Sequence, residues 1–123
     1  MQDQPKAAAL VAAVAEFLRS QALPQLDAHV AYHARVAANA LDIVARELTL
    51  GPAAAEAAHG RLTALLGRDG TLAELNQALA AAIESGTLDA ATPDLAAHLW
   101  ATTLDKLAID QPSYAGYRRA LEK

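Results

Sequence analysis

The stretch Val30-Ala31-Tyr32-His33-Ala34-Arg35-Val36-Ala37-Ala38-Asn39-Ala40-Leu41-Asp42-Ile43-Val44-Ala45-Arg46-Glu47-Leu48 decides the fold. Val30, Ala34, Ala37, Leu41, Val44 and Leu48 recur at alternating steps of four and three, which aligns them along one side of a helix. That is a heptad seam of about 20 residues, or roughly 30 Å of helix. Tyr32, Val36, Asn39 and Ile43 mark a second face at similar spacing. A helix apolar on two faces is predicted to be the central one, with Leu41 in the core.

Reading outward, Leu23-Pro24 ends a first helix over about Pro5 to Arg19, because a residue before proline is pushed out of the helical region. Asp27 is placed to cap the central helix with its carboxylate. Gly51-Pro52 is read as the stop of that helix and the first turn of a third, Pro52 to Leu66. Thr71 with Glu74 forms a capping box for a fourth helix ending at Gly86, and Thr92-Pro93 opens a fifth, Pro93 to Ile109. The fold class predicted is all-α: a compact bundle of about five helices forming one domain over residues 1–123. An irregular arm rich in Pro, Tyr and Arg follows at the C-terminus.

Composition agrees with helix. Of 123 residues 33 are Ala and 19 are Leu, against five Val and three Ile, so the β-branched residues that suit strands are scarce. There is no cysteine, which removes disulfides, thiolate catalysis and cysteine-ligated metal. A net charge of -4 supplies no basic field for nucleic acid or an anionic membrane. The apolar run near the start is interrupted by Glu16 and Arg19, too soon for a membrane span, and a soluble, cytoplasmic chain is predicted.

Chemistry-bearing patterns are sparse. His29 and His33 have the four-residue spacing at which two imidazoles can share a metal, but two ligands do not make a site, and Val30 stands where a zinc-protease glutamate would follow His29. They are read as ordinary polar side chains. Asp42 and Glu47 near Arg46, and Asp105 and Asp110 near Lys106, read as solvated charged faces. No glycine-rich phosphate loop and no nucleophile elbow occurs. No catalytic residue, cofactor or metal is expected. Asn39 and Lys106 are polar residues on otherwise apolar faces, and Asn39 would fix helix register if buried. The arm Asp110-Gln111-Pro112-Ser113-Tyr114-Ala115-Gly116-Tyr117-Arg118-Arg119 concentrates tyrosine and arginine, the residues that anchor interfaces. Tyr114 and Tyr117 could equally fold back to cap the core.

His33 through Leu48, together with Ala101 through Tyr117, resembles a bacterial family of unknown function whose members are similar to LvaB-like accessory subunits. The resemblance covers nearly the whole chain. It implies a non-catalytic subunit of an aminoglycoside-phosphotransferase-like kinase that phosphorylates a 4-hydroxyacyl-CoA in levulinic acid catabolism, ahead of an acyl-CoA dehydrogenase and β-oxidation. The implied partner is that kinase, in a hetero-oligomer, with acyl-CoA reached through the complex. It implies partner contacts at His33, Arg35, Asn39, Lys106, Asp110, Pro112, Tyr114, Tyr117 and, from the arm, Arg118. The competing expectation is a small helical acyl-CoA binding or carrier protein, with Arg35, Lys106, Arg118 and Arg119 meeting phosphates.

Overall fold

The computed structural model describes residues 3–123, which form five α-helices and no strand. By internal contacts the chain divides into two units, one up to Gly51 and one from Pro52. Among the described residues no helix is long and apolar enough to cross a membrane.

In the first unit, α1 (Ala7–Phe17) widens at its C-terminus into a π turn, Leu18–Ala22, where the Leu23 N–H returns to the Leu18 carbonyl. A 3-10 turn over Leu23–Gln25 carries Pro24, and the chain then enters α2, Ala28–Leu66. Asp27 caps α2 as its position predicts, its Oδ1 accepting the Val30 N–H at 3.0 Å. The π turn presents Arg19 to α2, where Nη2 donates to Asn39 Oδ1 at 2.7 Å and to Asp42 Oδ2 at 2.6 Å.

This ion pair corrects the seam expected on α2. The buried face runs through Ala31, Ala34, Ala38, Leu41, Asp42 and Ala45, centred on Ala38 with no exposed surface. Val30, Val44 and Leu48 stand at its margin, each more than two-fifths exposed, and Leu41 is only half-buried. The physical reason is size and charge together. Arg19 holds Asn39 and Asp42 beside its own turn, and Ala31, Ala34, Ala38 and Ala45 admit a closer approach than Val30, Val44 and Leu48 would. Ala15, one turn before Arg19, is the buried residue of α1.

The expected break at Gly51-Pro52 is absent, and α2 continues through Pro52 as one helix of 39 residues. A proline disfavours helical backbone at its predecessor through that residue's N–H and Cβ, and Gly51 lacks the Cβ part of the clash. Only the bond from position 52 to the Leu48 carbonyl is lost to the missing N–H.

The second unit is built on the C-terminal part of α2 with α3 (Leu72–Ser85), α4 (Leu95–Asp110) and α5 (Ala115–Leu121). Leu62, Leu75, Leu79 and Leu95 form its core, with Leu65, Leu66, Leu72 and Leu88 packed around them. Gly67, at φ 64°, ends α2, and His59 holds the following loop by donating from Nε2 to the Gly70 carbonyl at 2.9 Å. The Thr71–Glu74 capping box forms in both directions, at 3.1 Å and 2.9 Å. Gly86, at φ 82°, closes α3 in the left-handed conformation that a Cβ would strain. The fifth expected helix starts two residues late, since Thr92 bonds back to Asp89 and Asp94 takes a left-handed backbone, φ 69°, before Leu95. The arm is irregular only over the turn that contains Pro112; Ala115 onward is helical.

Continuity of α2 is testable at its weakest residue. Replacing exposed Pro52 by Ala should stabilise the chain by about 1 to 3 kcal/mol in urea titration, because a helix-interior proline loses a bond and strains the preceding turn. A neutral or destabilising result would mean that Pro52 starts a separate helix, where its missing N–H is harmless.

Candidate functional site

The second unit holds a cavity of about 410 Å³ between the end of α2 and the start of α4. Its apolar wall is Ala64, Leu65, Pro93 and Ala97, and its polar residues are Arg61, Thr92, Asp94 and His98. Arg61 stands on α2 and reaches across to α4. Its Nε–H donates to His98 Nδ1 at 3.1 Å, Nη2 lies 3.4 Å from Thr102 Oγ1, and Asp105 Oδ2 is 3.8 Å from Nη2. His98, Thr102 and Asp105 follow at i, i+4 and i+7, so they share one face of α4.

The geometry fixes the state of His98. A ring nitrogen that accepts from a guanidinium N–H keeps its lone pair, so the neutral ring carries its proton on Nε2. The side chain is 4% exposed, and burial, with the Arg61 charge second, pushes its pKa below 6.5. The His98 ring that lines the cavity is thus a neutral imidazole beside a charged guanidinium. Asp94 carries a free carboxylate at the exposed margin, while the Thr92 hydroxyl is engaged with the Asp89 N–H.

Reasoning from spacing missed this cluster. Spacing pairs Asp105 with its neighbour Lys106, yet its basic partner in the fold is Arg61, and Lys106 is exposed. The available signal was the polar stripe His98, Thr102, Asp105 on a helix read only for its leucines.

The residues expected to meet a partner fall in both units. His33, Arg35 and Asn39 are exposed on α2 in the first. His33 stands edge-on to His29 at 4.8 Å and to Tyr32 at 5.3 Å between ring centres, and among the described residues no group of three His, Cys, Asp or Glu is placed to hold a metal ion. Asn39 is not a buried register residue; it accepts from Arg19 at the surface. The same hydrogen bond network, led by the Arg19 donor, holds the Asp42 carboxyl below its ordinary range.

In the second unit Lys106 and Asp110 lie exposed on the last turns of α4, Pro112 is half-buried in the turn, and Arg118 is exposed on α5. The two tyrosines separate: Tyr117 is half-buried, while Tyr114 is 52% exposed with its ring against the Cα of Gly116. A Cβ at position 116 would come within 2.6 Å of that ring, so glycine is required for the ring's position.

A helical chain whose polar cluster joins two helices around a small cavity is the class that fold and site define. Residues 24–114 match the family model described as a domain of unknown function, DUF6285, and the chain belongs to that family. No curated protein and no solved structure matches it.

The depressed pKa of His98 has a signed consequence. The unfolded chain takes up this proton near pH 6.5 and the folded chain resists it. Stability tied to the neutral ring is therefore complete above that value and is lost as pH falls through it toward the folded pKa. Urea unfolding between about pH 7.5 and pH 5 should show a shallower pH dependence in His98→Gln than in the unaltered chain. Equal slopes would place His98 in an environment no different from water.

Proposed function

We propose that this chain is a non-catalytic subunit that docks on, and supports, an aminoglycoside-phosphotransferase-like kinase acting on a hydroxyacyl-CoA. The stretches that carry the resemblance to LvaB-like subunits lie in the N-terminal half of α2 and from α4 into the start of α5, and most of both lies within the family match. The observation that carries the reading is Tyr114. Its ring is exposed and laid over Gly116, so it offers apolar contact area with only two side-chain torsions to order on binding. Arg118 follows one turn later, and its backbone N–H bonds to the Tyr114 carbonyl at 3.1 Å, which fixes the spacing of an aromatic and a cation. Trp100 and Leu121 add exposed apolar surface in the same unit, 57% and 59% exposed. Aromatic and arginine side chains of this kind carry most of the energy in protein interfaces. In this reading the subunit contributes surface, and the phosphoryl transfer belongs to the kinase.

Capture from the native host tests the reading. Tagged chain should bring down a kinase of this class, and Tyr114→Ala should weaken that association by about 2 kcal/mol, roughly thirtyfold, while changing its own unfolding by less than about 1 kcal/mol. Undiminished capture by the variant would remove Tyr114 from the interface; capture of no kinase by the unaltered chain would remove the proposal.

A further inference from the structure

We infer that one side of the first unit is an interface between two copies of this chain, packed antiparallel across a two-fold axis into a four-helix bundle. α1 and the N-terminal part of α2 form an antiparallel hairpin, because the chain reverses over Leu23–Gln25 and Arg19 meets Asn39 and Asp42. Ala15 and Ala38, the least exposed residues of the unit, stand 12 residues before Asp27 and 11 after it, so they are level with each other. At about 100° per residue, Leu10, Val14 and Phe17 lie about 100 to 160° round α1 from Ala15. Val30, Ala37, Leu41, Val44 and Leu48 lie about 60 to 120° round α2 from Ala38, in the same rotational sense. In an antiparallel pair, equal senses point to the same side of the hairpin. Glu16, Arg19, Arg35, Asn39, Asp42 and Arg46 are displaced in the opposite sense, on the other side. The chain leaves the apolar side open: Leu10, Val14, Phe17, Val30, Val44 and Leu48 are each more than two-fifths exposed, and no Asp, Glu, Lys or Arg falls within that sector of either helix.

The residue sizes along the seam select the occupant. Measured from position 39, the seam is symmetric in spacing and asymmetric in size: Val30 mirrors Leu48, Ala34 mirrors Val44, and Ala37 mirrors Leu41. An antiparallel copy therefore sets each alanine against a larger side chain and fills the layer evenly. A parallel copy would stack Ala34 and Ala37 on themselves and leave a gap beside crowded leucines. α1 repeats the symmetry about Val14, where Leu10 mirrors Leu18 and Val11 mirrors Phe17. Position 39 and Val14 adjoin the level pair Ala38 and Ala15, so a single two-fold axis serves both helices, as a self-complementary interface requires. Two helices about 10 Å across, over the roughly 25 Å they share, present about 500 Å² per copy, or about 1,000 Å² for the pair, the extent a specific interface needs. Tyr114 and Arg118, offered above to the kinase, belong to the second unit, so the two readings stand or fall separately.

The test is the mass of the full chain by sedimentation equilibrium from about 1 to 300 μM, over which the unaltered chain should pass from one copy to two. Val44→Lys, which puts a charge in the seam at an exposed position, should raise the dissociation constant at least about thirtyfold. Val36→Lys, comparably exposed on a different face of α2, should leave it within about threefold. The chain lacks cysteine, so single cysteine substitutions report the register. On oxidation Val14→Cys should cross-link to its own copy and Leu10→Cys should not, because the axis brings position 14 to itself and separates the two positions 10 by about 12 Å along the helix. A single-chain mass at every concentration would give the face to another partner and overturn the inference. Association that survives Val44→Lys, or that Val36→Lys abolishes equally, overturns it too. So does a cross-link at position 10 as complete as at position 14, or none at position 14. Should Val44→Lys fail to fold, the two cysteine variants decide.

Discussion

Arg61 fixes how α4 is turned about its own axis. Leucine packing is non-directional, so Leu62, Leu75, Leu79 and Leu95 would cohere with α4 rotated by a fraction of a turn at modest expense. A guanidinium that must meet His98, Thr102 and Asp105 on one face tolerates no such rotation. The cavity, the buried ring and the direction of Leu95 into the core all depend on that orientation. The long 3.8 Å approach to Asp105, between half-exposed groups, contributes little energy; the shorter bond to His98 carries the constraint.

The first unit uses the same device with different partners. Arg19, turned by the π-helical end of α1, meets Asn39 and Asp42 on α2 and selects the alanine face centred on Ala38. In both units an arginine on one helical element meets polar side chains on another, two for Arg19 and three for Arg61, and small or apolar residues fill in behind. The division of labour follows from the physics: burial of apolar surface supplies most of the energy, and directional polar bonds choose among arrangements that burial alone leaves nearly equivalent.

Local chemistry was legible in the sequence. Asp27, the Thr71–Glu74 box and Gly86 act where their side chains or backbone freedom dictate, because caps depend only on residues within one turn. The failures were of a different kind. Gly51-Pro52 carries both helix-ending residues, yet their combination permits continuation, since the glycine removes the Cβ part of the clash between a proline and the residue before it. The seam on α2 misled because heptad apolar periodicity describes which residues share a side without saying which side is covered. Arg61 and His98 are 37 residues apart, and only folding pairs them. Their signal, a polar stripe on a leucine-rich helix, competes with a stronger apolar pattern on the same segment.

The central claim is that Arg61 donates to a neutral His98 whose proton sits on Nε2. Nitrogen and carbon chemical shifts of the His98 ring, measured by NMR in the unaltered chain and in Arg61→Gln, test it directly. The expected result near neutral pH is a neutral ring protonated at Nε2, with the Nδ1 resonance moving when Arg61 is replaced. A ring protonated at Nδ1, or an imidazolium, or a Nδ1 shift indifferent to the substitution, would contradict the account.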